Sequence, residues 1–156
     1  MMDKPKGISD LKMFKIRETL RDFKCLLTRY DELKSDEKLV EEFCKRNRNP
    51  VFDITTIKYF KTGLKSDLLI KNGGDSTDEH FIQRSKAMKV IFDRLSENPN
   101  MDDGEFITIL KKYCSTILIS KEEHKLLNST MRGNNKFNYE VYPEIGINVK
   151  GIEDYI

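Results

Sequence analysis

Met13, Ile16, Leu20, Phe23, Leu27 and Tyr30 recur in alternating steps of three and four residues. That spacing keeps apolar side chains on one side of an α-helix through five turns. Phe81, Ser85, Met88, Phe92 and Leu95 repeat it. A chain with two such stripes must pack helix on helix to remove them from water. Ser9 supplies the N-cap of the first helix, expected at 10–31. A coiled-coil dimer would need the same steps sustained over three or four heptads, so packing within a bundle is expected instead.

Other caps and breakers divide the rest of the chain. Ser35, Asp36 and Glu37 open a second helix that runs to about Arg46 and buries Leu39, Val40 and Phe43 before Pro50 breaks it. Asp53 caps a third, with Ile54, Ile57 and Phe60 inward and Gly63 ending it in a left-handed conformation. Leu64, Leu68 and Leu69 form a short fourth that stops at Asn72-Gly73-Gly74. A fifth starts within 75–81 and ends at Asn98-Pro99. Asp102, Asp103 and Glu105 lead a sixth at 102–118, burying Phe106, Ile109, Leu110, Tyr113 and Ile117. Ser120 with Glu123 is a capping box for a seventh at 121–131. Beyond Gly133 the period falls to two: Phe137, Tyr139 and Val141, then Ile145, Ile147 and Val149. The expected fold is all-α, a compact bundle of about seven helices over 1–134, with a short C-terminal β-hairpin or extended arm at 135–156 packed on it.

A chain of 156 residues, 38% hydrophobic and 35% charged, is sized for one folded domain and is too charged for a membrane protein. The first residues lack the apolar block of a secretory signal, and the three cysteines are too few and too widely spaced for a disulfide framework. The expectation is an intracellular protein of nucleus or cytoplasm, with free thiols and no membrane partner. Ala87 is the single alanine, while Lys, Asn and Ile are frequent, as in AT-rich coding of many viruses and some microbes. His80 and His124 belong to no close-paired ligand motif, and Lys71 to Asp75 lacks the phosphate-loop arrangement. No metal, cofactor or catalytic residue is expected.

Charge is laid down in blocks. Residues 31–42 hold six anions and two cations, whereas residues 45–71 hold seven cations and two anions. Within the latter, Lys45, Arg46, Arg48, Lys58, Lys61 and Lys65 form a candidate basic ridge. Lysines near a groove orient and speed the approach of an acidic partner, while buried aromatics supply affinity. The expected function is therefore a non-catalytic protein–protein interaction module that docks a short acidic-hydrophobic segment. An alternative places nucleic acid against the sixth and seventh helices and a wing-like hairpin, with Arg132, Asn134, Asn135 and Lys136 at its base. Another alternative is a viral structural or oligomeric component that adds the 136–156 arm to a neighbouring chain as a strand.

Tyr59, then Thr62-Gly63-Leu64, then Leu68, followed by the Phe81, Ser85, Met88, Phe92 and Leu95 stripe, give residues 54–95 a pattern that resembles the N-terminal domain of the transcription elongation factor TFIIS. The same helical module occurs in elongin A, a Mediator subunit and the integrase-binding domain of LEDGF. Phe92 stands where that family often has tryptophan, and residues 100–156 lie outside the match. The resemblance implies a transcription-related adaptor that docks short disordered segments without catalysis.

Overall fold

The computed structural model describes residues 8–51 and 60–156. Ser9 accepts a hydrogen bond from the Lys12 amide at 3.2 Å, so α1 (Asp10–Leu33) begins where a side chain can satisfy its first free N–H groups. Its stripe buries Met13, Ile16, Leu20, Phe23 and Tyr30. α1 packs on α2 (Glu37–Val51), α4 (Arg84–Glu97) and α5 (Asp103–Tyr113). Phe92 lies between these helices: the Phe23 ring meets it edge-on at 4.9 Å, and Tyr30 stacks on it at 4.7 Å. Both contacts have geometries that aromatic quadrupoles favour. Tyr30 donates its hydroxyl to Asp93, and burial with this neighbouring carboxylate pushes the phenol far above its ordinary value.

A small mixed sheet completes the core and corrects the all-α expectation. β1 (Lys61–Lys65) pairs in parallel with β3 (Thr116–Ser120), and β2 (Ser76–His80) pairs antiparallel with its other edge, giving the order β1-β3-β2. β3 is the sequence Thr-Ile-Leu-Ile-Ser, largely buried on both faces, and such runs favour a central strand. Ile117 therefore belongs to β3, and α5 stops at Tyr113 instead of continuing to 118. A short apolar run carries no period that separates strand from helix, and here pairing on both edges decides the outcome. Ser76 to His80 reads locally as a capped helix start, but its backbone is taken up by β3 from Ser76↔Ser120 to His80↔Thr116.

The predicted third helix, capped by Asp53 and ended by Gly63, falls mainly on residues outside the described ones, and its last residues are strand. Lys61 to Lys65 form a strand, so the basic residues there do not continue a helical ridge. Gly63 does take positive φ, +76°, but at the irregular register of β1 on β3 and not at a helix end. The next helix, α3 (Asp67–Asn72), starts at Ser66 and closes at Gly73 with φ +64°. Leu64 precedes it on β1, and Leu68 is 42% exposed, leaving Leu69 as its buried residue.

α6 (Lys121–Met131) has the boundaries and capping box that the sequence predicts. Glu123 does more than close that box. Its Oε1 accepts hydrogen bonds from the Ser120 amide at 3.0 Å and from the Ser66 hydroxyl at 2.5 Å, while Ser66 Oγ accepts from the Leu69 amide. One buried carboxylate oxygen thus joins the starts of α3 and α6. Glu123→Ala leaves two buried donors without an acceptor, and an expected loss of about 2 kcal/mol follows. Urea unfolding measures it, and Glu123→Gln should recover part of the loss because its amide oxygen can still accept.

The C-terminal hairpin is also corrected. Residues 138–141 form a helical turn, α7 (Asn138–Val141), followed by 3-10 turns at Tyr142–Ile145 and Ile152–Asp154. Asn138, Val141 and Tyr142 are buried, which is a helical spacing and not the period of two. Glu140 fixes the turn by accepting from the Phe137 amide at 2.8 Å. Of the second alternating run, Ile145 lies in the 3-10 turn and Gly146 is left-handed, while Ile147 and Val149 are buried and Val149 forms one antiparallel bridge with Ser66. Its partner is the chain beyond β1, so the arm is packed on the helical and sheet core instead of folding on itself.

Candidate functional site: a lysine-lined cleft beside the sheet

A cleft of about 670 Å³ opens where β1, the end of α5 and the last residues meet. Its cationic side is Lys61, Lys111 and Lys112, its apolar side is Phe60, Tyr155 and Ile156, and Thr62, Thr108 and Ser115 supply hydroxyls. The parallel pairing of β1 with β3 creates it by bringing Phe60 to Thr62 beside Ser115 and Thr116: the Thr116 amide donates to Phe60 O at 3.2 Å, and the Thr62 hydroxyl to Thr116 O at 2.7 Å. Lys111 and Lys112 occupy the last turn of α5, where cations complement the negative end of the helix dipole. Lys61 crosses β3 to Asp78 at 2.8 Å, so part of its charge is already offset. Lys112 lies 5.3 Å from the centre of the Tyr113 ring.

The predicted basic ridge is distributed differently. Lys45 and Arg46 pair along α2 with Glu41 and Glu42 at 2.8 and 3.9 Å. These exposed one-turn pairs account for the cations as a solvated helix face. Arg48 is exposed near the end of α2, where its charge helps lower the pKa of Arg84, after the larger effect of burial. Lys65 is exposed on β1. Lys58 lies outside the described residues. Of the six candidates, Lys61 lines the cleft.

The residues proposed for nucleic acid occupy a tethered loop. Lys86 on α4 donates to the carbonyls of Asn134 and Lys136 at 3.0 and 2.6 Å, and Lys136 pairs with Glu144 at 2.6 Å. Asn134 Oδ1 accepts from the Lys136 amide, Asn135 is exposed, and Arg132 caps the end of α6. β3 separates α5 from α6, and no hairpin follows α6 among the described residues.

A second polar cluster sits under α6. Glu79, 6% exposed on β2, accepts from His124 Nδ1 and from the Asn138 side-chain Nδ2, both at 2.8 Å. The Asn128 side chain lies 3.0 Å from His124 Nε2, an arrangement completed by the Nδ1–H tautomer. Burial raises the Glu79 pKa, which its hydrogen bonds partly offset. The pair is a carboxylate orienting an imidazole, chemistry suited to proton transfer, but both Glu79 oxygens are used to hold α6 and α7 on the sheet. Sequence reasoning missed it because its members come from 79, 124, 128 and 138.

Among the described residues, no group of three His, Cys, Asp or Glu stands close enough to hold a metal ion, and no helix is long and apolar enough to cross a membrane. The chain matches no protein-family model, no curated protein and no solved structure.

Proposed function

We propose that the protein is a non-catalytic interaction module that docks a short acidic-aromatic peptide segment in the cleft beside β1. The observation that carries this reading is the joining of Lys61, Lys111 and Lys112 to Phe60 around one open space. Aromatic burial would supply affinity, while the lysines would set orientation and association rate. The resemblance of residues 54–95 to a segment-docking transcription module points to the same class of partner, in nucleus or cytoplasm.

The test is fluorescence anisotropy with a capped, labelled octapeptide that alternates glutamate with tyrosine and phenylalanine. The double variant Lys111→Glu, Lys112→Glu should bind at least tenfold more weakly, and wild-type affinity should fall as salt rises. Equal affinity of variant and wild type would remove the cleft from the account. Tighter binding of single-stranded oligonucleotide than of peptide would favour a nucleic-acid ligand instead.

A further inference from the structure

The cleft has an acidic-aromatic neighbour in its own chain. Residues 153–156 read Glu-Asp-Tyr-Ile, and Asp154, Tyr155 and Ile156 form one of its walls. The run therefore has the composition of the segment proposed as ligand. All four residues are exposed, with Tyr155 at 39% and Ile156 at 48%. Their local order comes from a single 3-10 turn, in which the Asp154 amide donates to Gly151 O at 3.3 Å and the Tyr155 amide to Ile152 O at 3.0 Å. Both bonds stay within the turn. Towards the rest of the fold, Ile152 packs partly buried on the core, and Tyr155 meets the buried Phe81 ring edge-on at 6.3 Å. Asp154 makes no ion pair among the described residues. An anionic run held this lightly beside three lysines can be exchanged for another of the same character, because moving it breaks few contacts.

We propose that residues 152–156 are a displaceable strap: they cover the lysine cleft in cis, and an acidic-aromatic segment of a partner binds by taking their place. This rests on the docking reading above and adds the chemistry of the partner and its regulation. Charge complementarity with Lys61, Lys111 and Lys112, together with an aromatic ring for the Phe60 side, defines the occupant. A tethered competitor lowers apparent affinity by the fraction of molecules in which it covers the site. Release of the strap would therefore act as a gain control on partner binding.

One exposed substitution separates a strap from a permanent wall. Tyr155→Ala changes no charge: a strap predicts that this variant binds the glutamate-aromatic octapeptide at least fivefold tighter than wild type, whereas a wall predicts weaker binding. In the wild-type chain, the Tyr155 ring resonances should move towards solvent-exposed values as the octapeptide is added, and a capped peptide copying residues 151–156 should compete for the site. Unchanged or weaker binding by Tyr155→Ala, with the Tyr155 resonances fixed, overturns the strap and leaves the docking function standing. Failure of every variant and the wild type to bind the octapeptide overturns both.

Discussion

Phe92→Ala is expected to lower stability by about 4 kcal/mol, the middle of the range for removing a buried aromatic ring. Phe92 has no exposed surface, and three aromatic side chains converge on it: Phe23 at 4.9 Å, Tyr30 at 4.7 Å and Phe43 at 5.4 Å. They are carried by α1 and α2, so the vacated space lies where three helices meet and cannot close by shifting one of them. The edge-on and stacked contacts add to the transfer term. Chemical denaturation gives the value directly, and Phe92→Leu, which fills part of the space, should lose less than half as much. A loss below about 1.5 kcal/mol would show that α1, α2 and α4 do not share one core.

Acid should weaken the fold through His80. Burial first, and the positive charge of Arg84 second, lower its pKa from 6.5 to about 4, while Asp78 acts in the opposite sense. Its Nδ1 is buried with no hydrogen-bond partner among the described residues, so no hydrogen bond stabilises a proton there. Between pH 6.5 and 4 the unfolded chain binds the proton more readily than the folded one, and stability must rise with pH across that window. The contribution is fully present above pH 6.5 and is lost as pH falls through about 4, a change of up to roughly 3 kcal/mol. Glu79 has the opposite sign: its raised pKa favours the fold at low pH, and that stability is lost as pH rises through its folded value. Urea midpoints at pH 7 and pH 4 should therefore differ less in His80→Gln than in the wild type, and more in Glu79→Gln. Parallel pH profiles for wild type and His80→Gln would place His80 in water instead.

What the sequence discloses is local. The stripe and Ser9 locate α1, Ser120 with Glu123 locates α6, and Gly73 ends α3, since in each case the stabilising atoms lie within a few residues of one another. The sheet has no such signature. Ser76 to His80 carries the polar residues of a helix start, and its strand state depends on β3 some forty residues onward, where β-branched side chains buried on both faces require partners. Lys61 to Lys65 reads as a glycine-marked corner, because Gly63 takes the left-handed conformation that also ends helices.

The cleft follows the same division. Lys61 stands out in a cationic stretch, but Lys111 and Lys112 read as dipole partners at the end of α5, and Tyr155 belongs to a stretch expected to be a hairpin or arm. The Thr62 hydroxyl and Thr116 carbonyl, 54 positions apart, bring them together. Parallel pairing over that distance depends on tertiary packing and leaves no periodic trace.

The most direct measurement is a map of backbone amide shifts as the glutamate-aromatic octapeptide is titrated into the isotopically labelled chain. The largest changes should fall at Phe60, Lys61, Thr62, Lys111, Lys112, Ser115 and Tyr155. Changes concentrated at Lys45, Arg46 and Arg48 on α2, or around Arg132 to Lys136, with the cleft unmoved, would contradict the docking proposal.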